Sequence, residues 1–246
     1  MISVIIPALN EQEHIGGCLC SLLGQTVARD TYEIIVVDGG STDRTGEVAD
    51  EYADLIVPQK RSGIGGARAD GAEAAHGDIL VFTDADTLYR KDWLEVIREN
   101  LVDLSYDVSS GPVLFYDRTP QSDLVQLWRT QYKFLQVFEF YRLIGPNIAL
   151  KRDVYERIGG HRDISLLEDY DLSVRLFKEG NLSCRDDPRQ SVFTSARRFD
   201  DLHLYLKTYL YGHFHYHVTK DRKKLLQYPY PDSVDRKRGK YAAEWS

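Results

Sequence analysis

The sequence predicts an α/β fold in which a Rossmann-like, mostly parallel sheet carries helices on both faces. Three observations lead there. Short runs at residues 3–6, 33–38, 55–57 and 79–82, rich in β-branched and apolar residues, alternate with helical segments, the pattern of βαβ units with right-handed crossovers. The second and fourth runs are apolar without alternation, as strands covered on both faces are. Each run ends in polar or flexible residues, and open α/β sheets bind ligands beyond the carboxyl ends of their strands.

Composition narrows the function classes. The 246 residues, 43% apolar and 28% charged, are those of an ordinary soluble protein with one large domain or two small ones. A net charge of −7 with no sustained basic stripe argues against a nucleic-acid partner. Three cysteines, two of them at Cys18 and Cys20, fit neither a zinc spacing nor an even disulfide set and are expected to be small buried thiols. No apolar stretch reaches the roughly 18 residues of a transmembrane helix, and the chain enters a strand without the basic region of a signal peptide. A cytoplasmic protein is expected, with peripheral contact at the cytoplasmic membrane face left open.

Taken in order, the first strand stops at Pro7, which cannot donate to a ladder. A helix then opens at Asn10, with Ile15, Leu19, Leu22 and Leu23 on one stripe; Asn10 and Glu13 also match a capping box. After the second strand, Gly39-Gly40-Ser41-Thr42-Asp43 turns into a helix through about Tyr52, and the third strand follows a short link. Residues 62–68 are Gly-rich and lead into a helix of small residues ending at Gly77, with spacing that fits neither a dinucleotide fingerprint nor a P-loop. Close packing on the sheet explains the alanines of that helix but not Arg68. The fourth strand delivers Asp84-Ala85-Asp86, whose paired carboxylates repel each other and are costly to bury alone. Either Asp84 ends the strand and Asp86 caps the helix near Trp93, or the pair holds a hard cation such as Mg²⁺ or Mn²⁺. Convergence with the other strand ends favours the cation.

The second half changes character. A helix is expected over residues 93–103, and a strand over 108–116 broken by Gly111-Pro112. Residues 122–143 read as one long amphipathic helix with Trp128, Tyr132, Phe134, Phe138, Phe140 and Tyr141, facing the core or walling an acceptor site that touches lipid. A strand at 146–150 and a short helix at 153–160 with a glycine stop follow. Glu168-Asp169-Tyr170-Asp171 opens the next helix. The helix macrodipole favours carboxylates there, but three in four positions exceeds what capping needs, and a positioned carboxylate can act as a general base. Residues 191–195 form a last strand, with Arg197-Arg198 just beyond. The helix at 202–218 puts His213 and His217 on one face and His215 roughly opposite; aromatic packing is expected there ahead of metal or phosphate contact. The charged tail from Asp221 is expected to dock loosely or to serve a partner.

At this point the ordered set Val4-Ile5-Ile6-Pro7-Ala8-Leu9-Asn10-Glu11, Val36-Val37-Asp38-Gly39-Gly40-Ser41-Thr42-Asp43, Asp84-Ala85-Asp86 and Glu168-Asp169 resembles family 2 glycosyltransferases over about residues 2–200. The resemblance implies a GT-A fold and inverting transfer from a nucleotide-diphosphate sugar with Mn²⁺ or Mg²⁺. It implies one domain over 1–220, with a nucleotide-sugar half to about residue 105 and an acceptor half beyond, followed by the tail 221–246. Pro7, Ala8, Asn10 and Glu11 would lie along the nucleotide, Asp38 and Gly40 near the base, and Arg68 near base and pyrophosphate. Asp84 would approach the ribose or the metal, Asp86 would ligate the metal with Ala85 beside it, and Arg197 or Arg198 would stand near the diphosphate. Asp169 would be the base and Glu168 would support the acceptor.

Departures bear on the acceptor. The Gln-x-x-Arg-Trp motif of processive polysaccharide synthases is absent, Ser195-Ala196-Arg197-Arg198-Phe199 standing in its neighbourhood, so single transfer is expected over polymerisation. Thr87-Leu88-Tyr89 lacks the Gln that dolichol-phosphate mannose synthases use. A nucleotidyltransferase would carry a Gly- and Lys/Arg-rich loop where Pro7-Ala8-Leu9-Asn10 stands, and a sugar-nucleotide-binding scaffold without turnover is the non-enzymatic alternative.

Overall fold

A computed structural model describes residues 1–129, 131, 138, 140 and 142–226. Ten strands are described: β1 (Ile2–Ala8), β2 (Tyr32–Asp38), β3 (Leu55–Pro58), β4 (Ile79–Phe82), β5 (Thr87–Tyr89), β6 (Val108–Ser110), β7 (Val113–Phe115), β8 (Ile148–Lys151), β9 (Cys184–Asp186) and β10 (Val192–Thr194). Seven form one sheet in the order β3-β2-β1-β4-β8-β6-β9, and β5-β10-β7 form a second. In the large sheet only β8 runs antiparallel to its neighbours β4 and β6. This is the mostly parallel α/β architecture the sequence predicts.

The runs of β1, β2 and β4 are apolar because both faces of the sheet are covered. Val4, Ile6, Ile34 and Val36 point to one side, where α1 (Ile15–Leu23) supplies Ile15, Leu19 and Leu22 and α4 (Trp93–Arg98) supplies Trp93, Leu94 and Ile97. Ile5, Ile35, Val37, Leu80 and Phe82 point to the other, against α3 (Gly63–Ala74), α6 (Arg152–Arg157) and α7 (Glu168–Glu179). The helix α3 is built of small residues because it lies nearly on the sheet: a Cβ on Gly71 would overlap Ile5 Cγ2. The remaining helices are α2 (Thr45–Asp50), α5 (Pro120–Arg129) and α8 (Leu202–Phe214).

Several local expectations change. The capping box does not form: α1 starts at Ile15 without a side-chain cap, and Asn10 adopts a left-handed φ of 54°. Leu23 is exposed. The strand at 108–116 does break at Gly111-Pro112, but its halves enter different sheets. A Cβ on Gly111 would stand 2.5 Å from the Asp187 carbonyl and 2.6 Å from that of Gln190, so only glycine passes between the sheets there. The described helix spans Pro120–Arg129, and Gln131, Arg142 and Leu143 are not helical, so no single helix runs through to Leu143. Leu143 is instead drawn into the core outside any helix, its N–H donating to Ser173 Oγ at 3.0 Å. Tyr132, Phe134, Tyr141 and the tail beyond Leu226 lie outside the described residues. Strands β5 and β9, three residues each, are too short to stand out from loop.

Candidate active site

The strand order reverses between β1 and β4, and the crevice of such a switch point is where open α/β sheets take ligands. Asn10 and Glu11 leave β1 there, and Asp84 leaves β4. Asn10 ties this edge to the β2 loop: its N–H donates to Ser41 Oγ at 3.0 Å and its Oδ1 accepts from the Thr42 N–H at 2.8 Å. The Asp38 carboxylate accepts from Ser41 N–H at 3.1 Å and from Ser41 Oγ at 2.5 Å. Gly40 supplies the turn with a φ of +85°, which a side chain rarely tolerates.

Arg68 is wholly buried on α3. Its Nη2 donates to Asp84 Oδ1 at 2.6 Å and its Nη1 to Glu168 Oε1 at 2.7 Å. Burial by itself disfavours this guanidinium charge, yet the two carboxylates more than offset it and hold the group charged. The residue therefore stands behind the cleft, as a clamp between β4 and α7.

Asp86 does not cap a helix. Its Oδ1 accepts from Thr194 Oγ1 at 3.0 Å, and its Oδ2 from Arg197 Nη2 at 3.0 Å. The same Nη2 reaches Glu11 Oε1 at 2.6 Å and Oε2 at 2.7 Å, while Nη1 lies 3.4 Å from His14 Nδ1. Burial and then Arg197 push His14 below its ordinary range, which suits it as neutral acceptor to the guanidinium. Of the two arginines after β10, Arg197 thus joins the acidic edge, while Arg198 lines the same cleft.

The acids of α7 divide by role. Leu167 takes a left-handed φ of 61° and starts the helix so that Glu168 and Asp169 face the cleft. Asp171 turns away, to Arg162 at 2.7 Å and Arg175 at 2.8 Å. Asp169 Oδ2 accepts from the Gly145 N–H at 3.3 Å, and its Oδ1 lies 3.5 Å from Arg142 Nη1. A Cβ on Gly145 would sit 2.7 Å from Arg68 Nη2, so glycine lets clamp and carboxylate meet. Burial and the Asp169 charge push the Glu168 carboxyl up to about 7 against the pull of Arg68.

These groups open onto one cleft of about 700 Å³. Asn10, Glu11, Asp84, Asp86, Glu168, Asp169, Arg197 and Arg198 line it. Pro7, Ala8, Asp38, Gly40, Arg68 and Ala85 do not; they belong to the strand ends and turns that shape it. Thr194, His14, Arg142 and Gly145 join the site without being anticipated. Arg142 and Gly145 had no local signal, since their role comes from contacts with residues 169 and 68. The histidines of α8 and its continuation are packed among aromatics: the rings of His213 and His217 stack 5.6 Å apart, and Tyr170 Oη lies 3.0 Å from His217 Nε2.

The donor set fits a hard divalent cation. Glu11 and Asp86 already converge on one positive nitrogen, and both offer carboxylate oxygens. Among the described residues no three His, Cys, Asp or Glu cluster as metal ligands. A cation held by one or two carboxylates, completed by substrate phosphates and water, is the usual Mg²⁺ arrangement.

Comparison with known proteins bears on the family and the fold. The family model described as "Glycosyl transferase family 2" matches residues 3–159. The chain is 35% identical over 120 residues to glycosyltransferase AglE of Haloferax volcanii, covering 46% of this chain and 40% of that protein. It is 29% identical over 238 residues to the putative glycosyltransferase EpsH of Bacillus subtilis, covering 92% of this chain and 65% of that one. It thus spans less than two thirds of the length of both relatives. Among solved structures, the mannosyltransferase PcManGT from Pyrobaculum calidifontis, in complex with GDP-Man and Mn²⁺, superposes with a TM-score of 0.68 at 24% identity, covering 100% of this chain and 76% of that one. The fold is GT-A, and the chain belongs to glycosyl transferase family 2.

Proposed function

We propose that the protein transfers a sugar from a nucleotide-diphosphate donor to an acceptor hydroxyl with inversion at the anomeric carbon. The observation that carries this reading is the meeting, in one cleft, of an acidic strand edge bearing Asp84 and Asp86 with a separate carboxylate, Asp169, on the first turn of α7. The donor class is that of PcManGT, whose structure holds GDP-Man and Mn²⁺.

Asp86, with Asp84, would hold Mn²⁺ or Mg²⁺. The cation supplies Lewis-acid stabilisation of the diphosphate leaving group. Arg197 adds a positive charge beside Asp86 and Glu11, where the negative charge of that leaving group develops. Asp169 is oriented by the Gly145 N–H and Arg142 and accepts the acceptor hydroxyl proton. The hydroxyl oxygen bonds to the anomeric carbon as the bond to the diphosphate oxygen breaks on the opposite face. One displacement of this kind inverts configuration. Glu168, held by Arg68, supports the acceptor beside the base, and residues 1–105 and 106–220 serve as donor and acceptor halves of one domain.

Asp169→Asn tests the reading. The variant should bind donor with near-parental affinity by calorimetry but lose transfer, measured as release of nucleoside diphosphate with acceptor present. Turnover near the parent's rate would remove Asp169 from the role of base. A thermal-shift screen of UDP-, GDP- and dTDP-sugars with Mn²⁺ identifies the donor, since a ligand of the native state raises the melting temperature.

A further inference from the structure

The helix α8 is apolar on two sides, which in a water-soluble protein normally requires cover on both. Its inner side has that cover: Tyr205, Thr208 and Tyr209 line the cleft, Tyr209 meets Trp128 edge-to-face, and Gly212 is buried. Among the described residues, nothing covers the outer side. Leu206, Leu210, Phe214 and Val218 follow one another at four-residue steps and are 44%, 66%, 51% and 66% exposed. Residues four apart on a helix share a face, so the four side chains make one continuous aliphatic and aromatic stripe.

The charge around this stripe is opposite to that of the chain. Residues 202–226 hold five Lys or Arg and a single Asp, while the protein as a whole carries −7. Lys207, Lys220, Arg222, Lys223 and Lys224 are all exposed. The segment carrying the last four is held at the end of the stripe. The helix continues to Thr219, Lys220 turns with a φ of 55°, and Leu225 returns to the core beside Ile164 and Leu166. The Leu225 carbonyl accepts from the N–H groups of Ser165 at 2.7 Å and Leu166 at 3.0 Å. The lone acid, Asp221, accepts from the Lys223 N–H at 3.0 Å.

An exposed apolar stripe bordered by an anchored basic cluster matches an anionic lipid surface, which takes side chains such as Leu and Phe into the acyl boundary and Lys at the headgroups. We propose that the outer face of α8 docks on an anionic membrane, with Leu206, Leu210, Phe214 and Val218 inserted and the 220–224 segment on the headgroups. The inner face of the same helix would then bring the cleft to the bilayer. This assignment stands whether or not the transfer chemistry above is correct, because its test reads binding and not activity.

The test is co-sedimentation of the full chain with vesicles of equimolar phosphatidylglycerol and phosphatidylcholine, against vesicles of phosphatidylcholine alone. Binding is expected only to the anionic vesicles and should weaken as salt is raised. Replacing Leu210 and Phe214 together by Glu should abolish it. Each of Lys220→Ala, Lys223→Ala and Lys224→Ala should weaken partitioning by roughly fivefold, and the three together by about a hundredfold. Melting temperatures report whether the variants fold, and if the double-glutamate chain does not, the exposed lysine series decides alone. Three results would overturn the proposal: equal binding to neutral vesicles, undiminished binding by the lysine variants, or self-association without vesicle binding, which would assign the stripe to a second copy.

Discussion

Replacing Arg68 by Met isolates the clamp that joins the strand edge to α7. The side chain length is approximately kept, but Asp84 and Glu168 lose a guanidinium at 2.6 and 2.7 Å and are left as like charges that repel each other. Breaking a buried pair by removing one partner costs about 3–5 kcal/mol. At roughly 2–4 °C per kcal/mol for a chain of this size, the melting temperature should fall by about 6–20 °C. The loss should depend on pH with a definite sign. Burial and Asp169 already push the Glu168 carboxyl up to about 7, and Arg68 opposes that rise, so its removal sends the group higher. A carboxyl whose folded value lies above its unfolded one makes the folded state lose stability as pH rises between the two values. Below pH of about 7 both folded proteins keep this acid protonated and lose stability alike. The variant's deficit should therefore be smallest there and grow as pH rises above about 7, where the variant's acid alone stays protonated. Calorimetric melting of both proteins about one unit below and one to two units above that value measures this. A drop of less than about 2 °C at the alkaline end, or a deficit that grows on acidification, would refute the clamp.

Two further substitutions address the geometry around it. Asp86→Ala should abolish metal-dependent donor binding, because Asp86 is the strand-edge carboxylate that shares Arg197 Nη2 with Glu11; unchanged calorimetric affinity for a nucleotide sugar with Mn²⁺ would remove it as the ligand. Gly65→Ala should destabilise by about 1–3 kcal/mol, since its Cβ would overlap the Arg162 carbonyl and stand 3.0 Å from that of Ile164. An unchanged melting temperature would mean that α3 does not rest as closely on the 162–164 segment as described.

Local chemistry made much of the parallel sheet legible. The buried runs of β1, β2 and β4 announce themselves by apolar continuity, and their polar ends name the ligand edge. Asp84, Asp86, Glu168 and Asp169 stood out because clustered carboxylates need a reason to coexist. The second half was harder for two physical reasons. Strands of three residues such as β5 and β9 carry no period, and an amphipathic pattern running past Arg129 does not say where tertiary contacts will claim the chain. Leu143 left the helical pattern because Ser173 and the core took it.

The sequence by itself determined the α/β class, the order of the strand ends and the residue types gathered there, because these follow from periodicity and from the cost of burying charge. Only the tertiary structure decided how those residues pair. It set Arg68 behind the wall as a counterion shared by residues 84 and 168, gave Arg197 to Glu11 and Asp86, sent Asp171 to Arg162 and Arg175, and brought Arg142 and Gly145 to Asp169. Each of these joins residues distant in the chain or divides near-identical neighbours. A carboxylate's partner is fixed by which guanidinium the packed core leaves within about 3 Å of it, a distance that no local pattern encodes.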